Sequence, residues 1–276
     1  MYQSSIHRMN IVKYFRHQHI VFWALTSSFA LIAAEPAKEA PKPKPPEQPA
    51  YTTVETAGPD YALQGEYEGA LGSGKLGADV IALGNDQFRA VFHRGGLPGA
   101  GWDGKDKIEV DGKRDGEGVA FKGTWSANIA KGALIGKTDK DEGFELKRIE
   151  RHSPTEGAKP PSGAVVLLDG SNADAWSNGH LDDRKLLSAG VKTKQAFKDF
   201  TLHIEFILPF KPLGRGQGRG NSGVYLQDRY EVQVLDSFGL KGADNECGGI
   251  YRHNAPKVNM CYPPLQWQTY DIDFTA

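Results

Sequence analysis

Apolar and polar residues along this chain alternate in short runs, and nowhere do the apolar ones recur at a helical spacing of useful length. Within residues 51–150, the stretches 78–83, 87–93, 107–110, 118–121, 125–129 and 144–149 alternate over four to seven residues each. A period of two over such lengths predicts strands half buried on one face. Gly84-Asn85-Asp86, Asp111-Gly112 and the Asp139–Asp141 triplet supply turn residues between them. The pattern predicts a small antiparallel β domain, a meander with room to curl. Residues 97–103 interrupt it as an irregular loop, and Trp102 is read as packing beneath that loop.

A Pro- and Gly-bearing linker at 151–163 leads into longer strands. In the run 199–208, Phe200, Leu202, Ile204, Phe206 and Leu208 share one face, while Thr201, His203 and Glu205 share the other. Further strands are predicted at 223–227, 230–235, 248–252 and 268–274. Strands with one apolar face suit a two-sheet sandwich or jelly roll, so the fold class is all-β throughout. His203 and Glu205 read as exposed or structural.

The first 50 residues read as an address and a spacer. Arg8, Lys13 and Arg16 precede the apolar run 20–34, which ends in Ala33-Ala34 before Glu35-Pro36. That order is the layout of a secretory signal peptide over 1–34. The run is shorter than the roughly 20 residues a helix needs to cross a bilayer, so a mature chain without a membrane span, periplasmic or secreted, is expected. Residues 35–50 follow as a Pro-rich tether that favours extended polyproline II.

Composition narrows the partners. With 33 Lys+Arg against 34 Asp+Glu the net charge is -1, without the basic excess that nucleic-acid binding draws on. A hydrophobic share of 39% excludes a disordered chain. Two cysteines are too few for a multi-cysteine metal module. Cys247 and Cys261, fourteen positions apart in an exported chain, are expected to form a disulfide contributing about 3 kcal/mol by loop entropy; two buried thiols are the alternative.

Two local motifs bear on chemistry. The stretch 218–223, Gly-Arg-Gly-Asn-Ser-Gly, has dinucleotide-loop spacing, but a strand-like run follows it where phosphate binding needs a helix N-terminus. Arg215 and Arg219 in this loop are read as solvated or as reaching a polar ligand. In 230–236, Tyr-Glu-Val-Gln-Val-Leu-Asp, period two puts Glu231 beside Gln233 and opposite Val232 and Val234. A sugar lying on a sheet meets every second side chain of a strand, which makes Glu231 the candidate acid. Its i+2 neighbour Gln233 is an amide, so this strand shows no simple two-carboxylate pair of the kind a retaining glycosidase needs.

Read together, 165–170, Ala175-Trp176, 199–206, 220–227, 230–236, 247–251 and 267–272 resemble, in order, the 3-keto-disaccharide hydrolase family, associated with 3-keto-glycoside lyase and hydratase activity. The resemblance covers 164–276. It implies a concanavalin-like jelly roll acting on an oxidised sugar or glycan. A ketone at sugar C3 acidifies the C2 proton, so a positioned base can remove it. Donors or a cation then stabilise the enolate, which expels the C1 substituent, and water addition completes the cleavage. On this reading Glu231 is the base, Gln233 and Asn221 orient hydroxyls or the ketone, Tyr251 contacts the sugar, and Arg229 or His253 steadies negative charge. A divalent metal fits such chemistry, but no residue set has metal-ligand spacing, and the cofactor stays open. The family pattern continues past the 267–272 strand, so a jelly roll lacking its last strands is expected. The readings that compete with an enzyme are a non-catalytic carbohydrate-binding module and a surface scaffold.

Overall fold

The computed structural model describes residues 48–276; the expected signal peptide and most of the tether lie outside the described residues. Pro46–Ala276 packs as one compact unit. The described residues are almost entirely strands and turns, in agreement with the all-β expectation, and every sheet is antiparallel.

The first β region closes on itself. Strands β1 (Gly65–Leu71), β2 (Gly74–Gly84), β3 (Gln87–Arg94), β4 (Lys107–Asp115), β5 (Gly118–Lys122), β6 (Ser126–Ala130), β7 (Ala133–Lys137) and β8 (Gly143–Ile149) pair in chain order. Strand β8 returns to β1 with Gly69 opposite Leu146, completing an eight-stranded barrel. Closure leaves no unpaired edge.

Inward positions fill the barrel. Tyr67, Leu76, Ala78, Val80, Phe88, Phe92, Phe121, Leu134 and Leu146 are all 1% exposed or less, and burying each large apolar side chain contributes about 1.5–3 kcal/mol. Trp125, Phe92 and Phe144 pack with ring centroids 5.0–5.7 Å apart. The large rings need small neighbours: a Cβ on Gly136 would lie 2.6 Å from the Phe144 ring, and one on Gly112 would collide with that of Phe121. The helix α1 (Pro59–Leu63) brings Tyr61 onto this core beside Phe210 and Leu265 of the later chain.

Strands β1 and β7 carry no sequence prediction, for physical reasons. In β1, Glu66 interrupts the apolar pattern, yet it is 2% exposed because Arg151 forms an ion pair with it. In β7 the apolar Ile135 points outward beside the buried Leu134, which breaks the apolar–polar alternation.

The later chain contributes three two-stranded antiparallel sheets. Trp176–Ser177 (β9) pairs with Lys192–Thr193 (β10), Phe200–Ile207 (β11) with Trp267–Phe274 (β14), and Asn221–Leu226 (β12) with Tyr230–Leu235 (β13). The predicted strand at 248–252 is not continuous; it lies against β13 through a bridge between Val232 and Ile250 and hydrogen bonds of Gly248, Gly249 and Tyr251. The 153–157 stretch, expected as linker, is a docked turn: Thr155 donates to Asp271 at 2.7 Å and the Gly157 N–H to Glu205 at 2.6 Å. His203 stands between Asp271 (2.7 Å) and Glu205 (3.2 Å), so these residues serve the β11–β14 face. The hydrogen bond to Asp271 above all, with that to Glu205, raises the His203 pKa against a smaller effect of burial.

Candidate functional site

The polar face of the β12–β13 hairpin gathers the residues singled out by alternation. A turn with Gln227 and Asp228 at φ +52° and +55° reverses the chain, the twist that closes tight hairpins. It sets Tyr225 opposite Glu231, Gly223 opposite Gln233, and Asn221 opposite Leu235. Directly opposed residues share a face, so Tyr225, Glu231, Gln233 and Asn221 stand together. Val224 and Val234 turn the other way, into an apolar cluster with Leu208.

Tyr251 extends the row. The Val232–Ile250 bridge and the Tyr251 N–H donated to the Glu231 carbonyl (2.9 Å) place Tyr251 across from Glu231 on its other side. The carboxylate-bearing residue therefore sits between two phenol-bearing ones. Tyr225 donates its hydroxyl to Glu231 Oε2 at 2.8 Å, and this hydrogen bond, more than burial, holds the phenol above its ordinary pKa. The Glu231 side chain folds over Gly223, where an added Cβ would come within 2.7 Å of its Cγ.

Gln233 is 1% exposed rather than open on the surface. Its amide donates to Asn221 Oδ1 (3.1 Å) and Gln217 Oε1 (3.2 Å), and Asn221 Nδ2 in turn donates to Gln217 Oε1 (3.0 Å). Gln217 is tied down by its own bond to the Asn245 carbonyl, 2.8 Å. Three side-chain amides thus make a fixed polar patch beside the carboxylate. The exposed Asn221 and the buried Gln233 are components of one network.

Arg229 and His253 fall elsewhere. Arg229 lies over the Tyr230 ring at 5.4 Å, and His253 meets the same ring edge-on at 6.2 Å. Tyr230 pairs with Leu226 on the opposite parity from Glu231. The stretch Arg229-Tyr230-Glu231 is contiguous in sequence, but the pleat divides it between faces.

Arg219 is neither solvated nor available to a ligand. It is 8% exposed and grips Asp236, 1% exposed, through two bonds of 2.7 and 3.0 Å. Burial raises the Asp236 pKa while the guanidinium pulls it down. The run after Gly218-Arg219-Gly220 is strand β12, without the helix a phosphate loop requires.

The disulfide expected between Cys247 and Cys261 is not formed. Both residues are free thiols, buried in one cluster on the apolar side of the hairpin, where apolar packing and the Tyr270 hydroxyl surround them. No group of three or more His, Cys, Asp or Glu among the described residues could hold a metal ion. No described helix is long and apolar enough to cross a membrane.

Tyr225 and Gln217 belong to the site without having been singled out in the sequence. Tyr225 had a usable signal, since a tight turn centred on 227–228 brings it opposite Glu231. Gln217 had none, because its place follows from the course of an irregular loop.

No curated protein and no solved structure gives a significant match to the chain. Residues 163–276 match the family model of the 3-keto-alpha-glucoside-1,2-lyase-like domain, the family resembled by the motifs around Glu231, and this match supports a carbohydrate-related function for that part of the chain.

Proposed function

We propose that the chain is an exported carbohydrate-active enzyme that cleaves 3-keto-glycosides by elimination and hydration, with the Glu231 face as its site. The proposal divides the chain into a signal peptide at 1–34, a tether at 35–50, a β domain at 51–150, a linker at 151–163 and a sugar-processing domain at 164–276. The observation that carries the reading is the Glu231 carboxylate, half buried and flanked by Tyr225 and Tyr251, beside the Gln217–Asn221–Gln233 amides.

Glu231 takes the C2 proton made acidic by the neighbouring ketone. The C–H electron pair moves into the ring carbons as an enolate, and the amide cluster and phenols supply hydrogen bonds as that charge develops. Collapse of the enolate expels the C1 oxygen, and water adds to the resulting unsaturated ketone.

Assaying the full chain against a 3-keto-disaccharide and its unoxidised parent tests the reading. Turnover of the ketone alone is expected, with Glu231→Gln losing about 10²–10⁴-fold in kcat; equal inertness toward both sugars sinks it. The 60% exposed ring of Tyr225 on the same face favours a second reading, a sugar-binding module without catalysis. That reading predicts saturable sugar binding that survives Glu231→Gln and releases no product.

A further inference from the structure

Behind the β12–β13 hairpin, on the side away from Glu231, two sulfur atoms lie together that the proposed sugar chemistry does not use. Cys247 and Cys261 are each 6% exposed and share an apolar cluster with Leu208 and Val234. Both line a cavity of about 220 Å³ together with Pro154, Phe206, Met260 and Tyr270. Val258 and Met260 on its wall are 40% and 43% exposed, so the cavity reaches solvent.

The backbones at the two cysteines are fastened to each other. The Cys247 N–H donates to Ser237 Oγ and the Cys261 N–H to Asn259 Oδ1, each at 3.2 Å. Ser237 Oγ itself donates to Asn259 Oδ1 at 3.2 Å, and Asn259 Nδ2 to the Ser237 carbonyl at 2.8 Å. Tyr270 adds a second tie, with its hydroxyl 3.1 Å from Cys247 Sγ, accepting from the Gly248 N–H and donating to the Gln233 carbonyl.

The geometry points to a reversible dithiol–disulfide couple at Cys247 and Cys261, oxidised by small disulfides that enter through the cavity. Cys247, as thiolate, attacks one sulfur of the incoming disulfide; its S–S bond breaks and the first thiolate leaves. Cys261 then loses its proton and attacks Cys247 sulfur, expelling the second thiolate. The two protein thiols are oxidised, the small disulfide is reduced, and the two protons end on the two released thiols. The assignment of roles agrees with the surroundings: the neighbouring Cys261 thiol lowers the Cys247 pKa against burial, while burial pushes the Cys261 thiol up. Closing the bond would staple both ends of the 248–260 segment, whose Gly249 and Tyr251 hydrogen-bond β13 at Gln233 and Glu231.

The test uses the full chain equilibrated in mixtures of reduced and oxidised dithiothreitol, quenched in acid, denatured, alkylated with N-ethylmaleimide and weighed. The expected result is two alkylations at the reducing end and none at the oxidising end. Both sites should vanish at one shared midpoint, and both should return when the folded protein is placed back in reduced dithiothreitol. Cys261→Ser should trap one glutathione on Cys247 when offered oxidised glutathione. Amide exchange over 248–254 should slow roughly tenfold in the oxidised form. Two alkylations at every ratio overturn the inference. So do thiols lost only into intermolecular dimers, or a bond reducible only after denaturation. Every principal readout is made on the unsubstituted chain and none requires sugar turnover.

Discussion

Glu231 owes its position to the absence of a side chain across the strand pair. Gly223 leaves the space into which the carboxylate folds and where Tyr225 can reach it. Gly223→Val should therefore displace Glu231 and lower kcat/KM on a 3-keto-disaccharide by about 10²-fold, as misplacing a catalytic group does. The accompanying stability loss should be only about 1–3 kcal/mol, read from a urea melt. A nearly unchanged kcat/KM would show that the carboxylate does not act from this position.

Arg219 and Asp236 illustrate the opposite case, charged residues whose work is structural. Removing one member of a buried ion pair strands the other, so Arg219→Ala is expected to cost about 3–5 kcal/mol of unfolding free energy, read from a urea melt. The double change Arg219→Met with Asp236→Leu should recover most of it, because no charge is left to desolvate. In the sequence Arg219 reads as solvated or as reaching a polar ligand. The residue string contains no sign that seventeen positions later in the chain a buried carboxylate awaits the guanidinium.

Sheets reveal which alternation is decisive. In β13 the inward positions Val232 and Val234 and the polar position Glu231 follow the period of two as read. Gln233 follows it in direction but not in burial, because Gln217 and Asn221 roof it over. In β1 the pattern is hidden by Glu66, whose charge is neutralised by Arg151 from beyond the end of the barrel. The barrel strands also depend on their gaps: Gly136→Val would drive a side chain into Phe144 and the β6 backbone. It should lower stability by about 1–3 kcal/mol or more, measured by thermal unfolding, while an exposed change such as Lys131→Arg should leave the melting temperature unmoved.

The β11–β14 pair carries a pH response of its own. Asp271, and then Glu205, raises the folded-state pKa of His203 above its unfolded value. This contribution to stability is fully present below the unfolded pKa and is lost as pH rises through the higher folded one. The Asp271 carboxyl is lowered by Thr155 and then by His203, so it stays charged across that window. Stability should fall slightly as pH rises from about 6 to 8, and His203→Asn should flatten the slope. An identical slope in the variant would remove His203 as the cause. The effect is small because the pair is partly solvated.

Across the described part of the molecule, the barrel and the later sheets are joined by specific contacts rather than by proximity in sequence. Tyr61 donates to the Pro264 carbonyl at 2.9 Å, Tyr51 bridges to Phe210, and Phe238 packs on Ile81 and Val91 of the barrel wall. Cutting the Tyr61 anchor by Tyr61→Phe should cost about 1–2 kcal/mol, since it leaves a buried carbonyl without its donor.

By itself the sequence determined the all-β class, the existence of most strands, the parity of Glu231 and Gln233, and the resemblance of residues 164–276 to a sugar-processing family. These are properties of neighbouring residues, and a period of two can be read from neighbours alone. Barrel closure, the pairing of Tyr225 and Tyr251 around Glu231, the burial of Arg219 on Asp236 and the free state of the two thiols were decided only by tertiary structure. Each depends on which distant strand or loop arrives opposite a given residue. That choice is made by packing volume and by the need to satisfy buried polar groups, neither of which is written in any single stretch of the chain.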